Sequence, residues 1–108
     1  MTQWEIYTFD FARAGVHPAV IISHPDRVER AEAFNILLCS SQRASRAPKK
    51  NEVLLDAEDG LSWETLVRCD MMYEAERAQL RDRRGIVSSY RRREIVAKIA
   101  LCYAFTQV

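Results

Sequence analysis

The chain is poor in the residues that build metal sites, disulfide frames and phosphate-binding loops. Its three cysteines, Cys39, Cys69 and Cys102, are odd in number, widely spaced and set among apolar neighbours. No Cys-x-x-Cys pair occurs, and the only histidines, His17 and His24, have no carboxylate cluster at ligand spacing. A zinc site and a disulfide framework are therefore unsupported, and the cysteines read as reduced core residues. Glycine is confined to Gly15, Gly60 and Gly85, too scattered for a glycine-rich phosphate loop. No apolar segment approaches the about 18 residues of a membrane helix, and the N-terminus shows no basic leader followed by an apolar run, so a cytosolic protein without a cofactor is expected. Internal repeats and low-complexity segments are absent.

What is present is the composition of one globular domain spanning residues 1–108, with 48% hydrophobic and 29% charged residues. At this length a chain buries roughly 60–70% of the surface it exposes when unfolded. The net charge of +1 hides an uneven distribution. Arg43, Arg46, Lys49 and Lys50 run without an acid, and Glu52, Asp56, Glu58, Asp59 and Glu64 follow without a base. A second basic segment holds Arg77, Arg81, Arg83, Arg84, Arg91, Arg92 and Arg93 against Asp82. Such blocks fit a polyanion partner and equally fit solvated loops.

The pattern is mostly strands followed by one helix. Residues 4–9 are rich in β-formers, residues 12–15 make a tight connection, and residues 19–23 and 34–39 are apolar on both faces, as central strands are. Between the last two, residues 24–30 interrupt the sheet with a helical turn beginning near Asp26. Residues 43–50 form a basic loop, residues 52–56 a short strand, and Asp59-Gly60 a turn. From about Tyr90 to Phe105 the period changes, with Ile95, Ile99, Cys102 and Phe105 on one helical side. Ser88 or Ser89 can cap this helix. The arginines just after the cap oppose its dipole, which calls either for an anion at that end or for tolerance of exposed charge, and we expect tolerance.

The most informative stretch is Leu66-Val67-Arg68-Cys69-Asp70-Met71-Met72-Tyr73. As a strand it puts Val67, Cys69, Met71 and Tyr73 on one face, and Arg68 and Asp70 on the other with Leu66 and Met72. The Arg68 and Asp70 side chains then start roughly 6–7 Å apart, close enough to act on one phosphate group. The same two residues also read as an ordinary surface ion pair.

Arg68-Cys69-Asp70 at the end of an apolar strand resembles the motif of the MazF/PemK family of bacterial toxins, the Kid-like branch in particular. Trp4-Glu5-Ile6-Tyr7 is similar to that family's opening strand, and Gly15-Val16-His17-Pro18-Ala19-Val20-Ile21-Ile22-Ser23 to its Gly-x-Arg-Pro strand. Leu37-Leu38-Cys39-Ser40-Ser41-Gln42 resembles its apolar strand ending in Thr or Ser. Ala75-Glu76-Arg77-Ala78-Gln79-Leu80, and Gly85-Ile86-Val87 before a closing helix, follow in the same order. The resemblance implies a mainly β fold with a C-terminal helix (α+β), a small SH3-like barrel of the PemK/CcdB type, usually paired into a homodimer whose interface shapes the substrate groove.

It also implies a type II toxin that cleaves single-stranded RNA without a metal, inhibited by an acidic antitoxin. In that chemistry Asp70 takes the proton of the ribose 2′-hydroxyl, and Arg68 binds phosphate and stabilises the charged phosphorane. An arginine hardly deprotonates, so Arg68 is assigned to charge rather than to proton donation. Ser40 aligns with the family Thr or Ser as a donor to a phosphate oxygen. Since neighbouring strand residues face opposite ways, only one of Ser40 and Ser41 can line the groove. Ser41, Gln42, Arg43 and Arg46 are expected to contact substrate. His17 departs from the family, standing where Arg is common. It cannot clamp a phosphate bidentately, and it either serves as acid or base, marks weakened activity, or is structural. The short connection between the first two strands lacks the longer loop that often covers RNA, so no sequence specificity is carried over.

A second reading is a non-catalytic binder on the same barrel, either a CcdB-like gyrase poison or a degenerate family member. CcdB-like poisons depend on a terminal Trp-Gly-Ile, whereas this chain ends Phe105-Thr106-Gln107-Val108.

Overall fold

Side chains that are apolar on both faces of a strand need cover on both sides, and the fold supplies it. The structure, a computed structural model, describes residues 1–40 and 46–104. Six strands appear in chain order: β1 (Glu5–Asp10), β2 (Val16–Ile21), β3 (Ala33–Cys39), β4 (Glu52–Leu55), β5 (Thr65–Glu76) and β6 (Arg81–Ile86). Helix α1 (Pro25–Arg30) joins β2 to β3, and α2 (Ser89–Cys102) follows β6. All strand pairs are antiparallel, in the order β4-β5-β3-β2-β1-β6, and the sheet curls into a half-barrel.

Alternation along β2 and β3 divides the core in two. Val20, Leu37 and Cys39 join Ile6, Val67 and Cys69 under Ile95 of α2. Ala19, Ile21, Phe34, Ile36 and Leu38 face the other way, against Phe9, Phe11, Leu80 and Val28 of α1. Both central strands are thus buried on two faces. The cysteines are free thiols, and burial pushes those of Cys39 and Cys69 up, the latter to about 12.

Strand β5 departs from the simple alternation expected of it. Its register against β3 runs from Leu37 opposite Met72 to Cys39 opposite Val67, so residues 68–71 bulge away from β3. Bulges bend a strand and re-aim its side chains. As a result Val67 and Cys69 pack in the α2-side core, whereas Tyr73 and Ala75 pack in the opposite one. Residues two apart share a face only while the ladder is regular. Leu66 is buried, while Met72, on the same parity, is exposed.

The two edges of the half-barrel meet at Gly85. A Cβ there would lie 2.0 Å from the Asp59 carbonyl oxygen, so only glycine lets β6 pass the turn after β4. That turn is a short 3-10 segment, Ala57–Asp59, closed by Gly60 at φ 85°. The same turn meets the start of α2. The fully buried Asp59 carboxylate accepts the Ser88 N–H (2.8 Å) and shares Arg91 with Asp56. The expected tolerance of exposed arginines is therefore overturned for Arg91, whose side chain is only 12% exposed and carries two carboxylates. Asp59 is the anion that the helix dipole favours at this end. Arg92 donates to the Val87 carbonyl and lies over the Trp4 ring. Ser88 holds the cap position without a side-chain capping bond. Trp4, expected in the first strand, precedes it at φ 77°. The strand Arg81–Ile86 had no distinct pattern in sequence, and Phe105 lies outside the described residues.

Candidate active site

An open cavity of about 320 Å³ forms where β2, the end of β3, the start of β4 and the bulge of β5 converge. Its lining includes His17, Ser40, Arg46, Lys49, Glu52 and Arg68. Four residues selected from sequence, His17, Ser40, Arg46 and Arg68, are thus brought together from four segments. Asp70 is not in the lining and stands beside it, linked through Arg68. Ser41, Gln42 and Arg43 lie outside the described residues.

Ser40 is fixed by an extension of the sheet past β3. Its N–H donates to the Leu66 carbonyl (2.7 Å), its Oγ accepts the Leu66 N–H (3.1 Å), and its carbonyl accepts the Thr65 hydroxyl (2.7 Å). His17 is held by its own turn, with Nε2 2.5 Å from the Ala14 carbonyl. A carbonyl only accepts, so Nε2 carries the proton, and in the neutral ring Nδ1 is left as an acceptor.

Arg46 and Glu52 form a two-pronged pair at 2.6 and 2.8 Å, and the Lys49 N–H adds a third bond to the same carboxylate. These donors, Arg46 first, hold the nearly buried Glu52 carboxyl at about 2 despite its desolvation. The basic run therefore does not stand alone: one of its arginines is neutralised by the first acid of the block that follows. Arg91 does the same with Asp56 and Asp59, so the charge blocks of the sequence partly cancel across the fold.

Arg68 sits opposite Glu52 in the β4–β5 register. Its Nη2 reaches Asp70 Oδ2 at 3.3 Å, with the two side chains 37% and 34% exposed. A single contact of that length is a weak tie. The other Asp70 oxygen, Oδ1, is buried and has no hydrogen-bond partner among the described residues. A carboxylate oxygen removed from water and left unpaired costs free energy that an incoming hydrogen-bond donor would offset. Among the described residues no group of three or more His, Cys, Asp or Glu could hold a metal ion.

Sequence reasoning reached Lys49 only as part of the basic loop and missed Asn51 and Glu52 as neighbours of the site, and Tyr103, whose hydroxyl donates to the Asp70 carbonyl (2.9 Å). Nothing in their local spacing marks them. The one legible hint is that Glu52 is the first acid after four cations.

The family described as the PemK-like, MazF-like toxin of type II toxin–antitoxin systems matches residues 2–103. The chain belongs to this family. The match takes in every described residue of the cavity and ends at Tyr103. Comparison with curated protein sequences finds no match. Among solved structures, a mycobacterial endoribonuclease in complex with its cognate antitoxin is similar at a TM-score of 0.81 and 18% identity, covering 100% of this chain and 99% of that one. The Mycobacterium tuberculosis toxin MazF-mt6 gives 0.79 at 14% identity over 95% and 99%. The MazE-MazF structure from Deinococcus radiodurans gives 0.73 at 18% identity over 98% and 97%. These likenesses establish that the MazF-like fold is kept while most side chains differ. No helix among the described residues is long and apolar enough to cross a membrane.

Proposed function

We propose that this toxin is a single-domain, metal-independent endoribonuclease that acts on single-stranded RNA in the cytoplasm. The observation that carries the proposal is the Arg68–Asp70 pair at the cavity edge. The arginine is only loosely held, and one oxygen of the aspartate is buried without a partner among the described residues. Arg46, Lys49 and Arg68 add positive charge against the single carboxylate of Glu52. That excess suits a phosphodiester.

In the proposed reaction Asp70 takes the proton of a ribose 2′-hydroxyl, and the 2′ oxygen bonds to phosphorus as the bond from phosphorus to the 5′ oxygen breaks. The leaving oxygen takes a proton from solvent, so one fragment ends in a 2′,3′-cyclic phosphate and the other begins with a 5′-hydroxyl. Arg68 stabilises the charge that builds on the phosphorane. Ser40 borders the phosphate position. His17, with its N–H committed to Ala14, supports the turn and is not assigned a proton-transfer role.

A mycobacterial neighbour was solved with its cognate antitoxin, and a cognate antitoxin of this chain with an acidic segment would compete for the basic cavity by charge. A homodimer is the expected assembly, and Tyr90 and Leu101, which share one side of α2, are more than half exposed.

The test is cleavage of a defined single-stranded RNA in EDTA, with end-group analysis of the products. Wild-type protein should leave the cyclic phosphate, and folded Asp70→Asn should lose activity by about a hundredfold or more, the range for a proton-transfer group. Dependence on added magnesium, or full activity in folded Asp70→Asn, would refute the mechanism. A folded wild type that binds RNA or an antitoxin but never cleaves would instead favour the non-catalytic reading, to which the tethered His17 lends some support.

A further inference from the structure

We infer that Tyr103, at the end of α2, is a positioning residue for Asp70. The inference rests on the ribonuclease reading for its consequence, but its physical basis is independent of it.

Over residues 68–71 strand β5 leaves its partner β3, so the peptides around Asp70 lose the regular ladder on that side. A bulge of this kind has more than one way to orient its peptide groups unless other donors select one. Two contacts do so here. The Cys69 N–H donates to the Asn51 carbonyl (2.8 Å), and the Tyr103 hydroxyl donates to the Asp70 carbonyl (2.9 Å). Tyr103 is itself anchored, its N–H bonding to Ile99 (3.0 Å) in the last turn of the helix. The same helix reaches the facing strand, where Lys98 Nζ donates to the Glu52 carbonyl (2.7 Å), and Glu52 is the residue opposite Arg68. Helix α2 thus grips the backbone on both sides of the Arg68–Asp70 pair.

The Asp70 carboxylate has little else to aim it. Among the described residues Oδ1 has no partner, and Oδ2 has only the long contact to Arg68. Its direction follows from the backbone at Asp70, and the Tyr103 hydroxyl holds the carbonyl of that residue. A base displaced by a fraction of an ångström from the 2′-hydroxyl loses rate without losing substrate affinity, because the cations that bind phosphate are untouched.

Tyr103→Phe removes the hydroxyl and keeps the ring. We expect kcat on a short RNA to fall about two- to tenfold, the ratio that one net hydrogen bond commands, with KM unchanged. Amide exchange at Cys69, Asp70 and Met71 should quicken by about the same factor, while that of Val20 and Leu37 in the core stays as in wild type. An unchanged kcat in the folded variant, or unchanged exchange over the bulge, overturns the inference. A general loss of stability with wild-type kcat would do the same, since it marks a merely structural contact. If wild-type protein cleaves no RNA, the ribonuclease reading fails by itself, and the exchange measurement still decides whether Tyr103 holds the Asp70 backbone.

Discussion

Arg91→Met probes the junction that closes the half-barrel, because methionine keeps an unbranched apolar stem and removes the guanidinium. In wild type that group contacts Asp56 at 2.6 and 3.1 Å and also the Asp59 carboxylate, while being 12% exposed. Removing one partner of a buried ion pair costs about 3–5 kcal/mol, because the opposite charge is left behind. Two features reduce that figure here. Asp59 keeps the N–H groups of Ser88 and Asp56, and Asp56 is 28% exposed and so reaches water. We therefore expect a loss of about 2–4 kcal/mol, a large share of the about 5–15 kcal/mol typical of a domain. At this chain length the melting temperature should fall by about 10–25 °C, measured by circular dichroism at pH 7.

The pH dependence gives a second check on the same variant. The hydrogen bond from Arg91 holds the Asp56 carboxyl below its usual range. A depressed folded pKa contributes stability that is complete above the unfolded value and disappears as pH falls through the folded one. The gap between wild type and Arg91→Met should accordingly be full at pH 7 and narrow below about pH 4. Adding Asp59→Asn to the variant should recover part of the loss, since it removes the stranded charge. A melting temperature within about 3 °C of wild type, or a gap that stays constant into acid, would refute the reasoning.

His17→Ala should cost about 1 kcal/mol of stability through the lost bond to Ala14 and reduce RNA cleavage by less than about tenfold, followed by urea unfolding and initial rates; a hundredfold loss would return His17 to the reaction. Gly85→Ala forces β6 off the Asp59 backbone and should destabilise by about 1–3 kcal/mol or more, read from the urea midpoint, and an unchanged midpoint would mean that the seam opens freely. Tyr90→Glu with Leu101→Glu should convert a homodimer into monomers in light scattering at micromolar concentration, and a wild type that is already monomeric there would dispose of the proposed dimer.

Periodicity located most of the elements because apolar spacing directly reflects which faces are buried. The central strands, the short strand at Glu52, the turn at Asp59-Gly60 and the closing helix all stand close to where their patterns put them. Strand β6 was illegible for the same reason. Arg81-Asp82-Arg83-Arg84-Gly85-Ile86 is an edge strand that buries almost nothing except a glycine, so its conformation is imposed by pairing with β1 rather than by its own residues. The site was legible in part. Arg68, Asp70, Ser40 and His17 were marked by residue type and motif order, and three of them line one cavity with Arg46.

By itself the sequence determined the central strands, the closing helix and the apolar residues they bury, and which family the chain resembles, since these follow from local composition and order. Only the tertiary structure decided how the charges are spent. Arg46 meets Glu52, Arg91 meets Asp59, and Tyr103 meets Asp70, at separations along the chain of 6, 32 and 33 residues. It also decided that β5 changes face at residues 68–71 and leaves an Asp70 oxygen unpaired. The physical reason is that electrostatic and hydrogen-bond energies depend on distance and desolvation in space. Those quantities come into existence only when the sheet curls and brings its two edges together at Gly85.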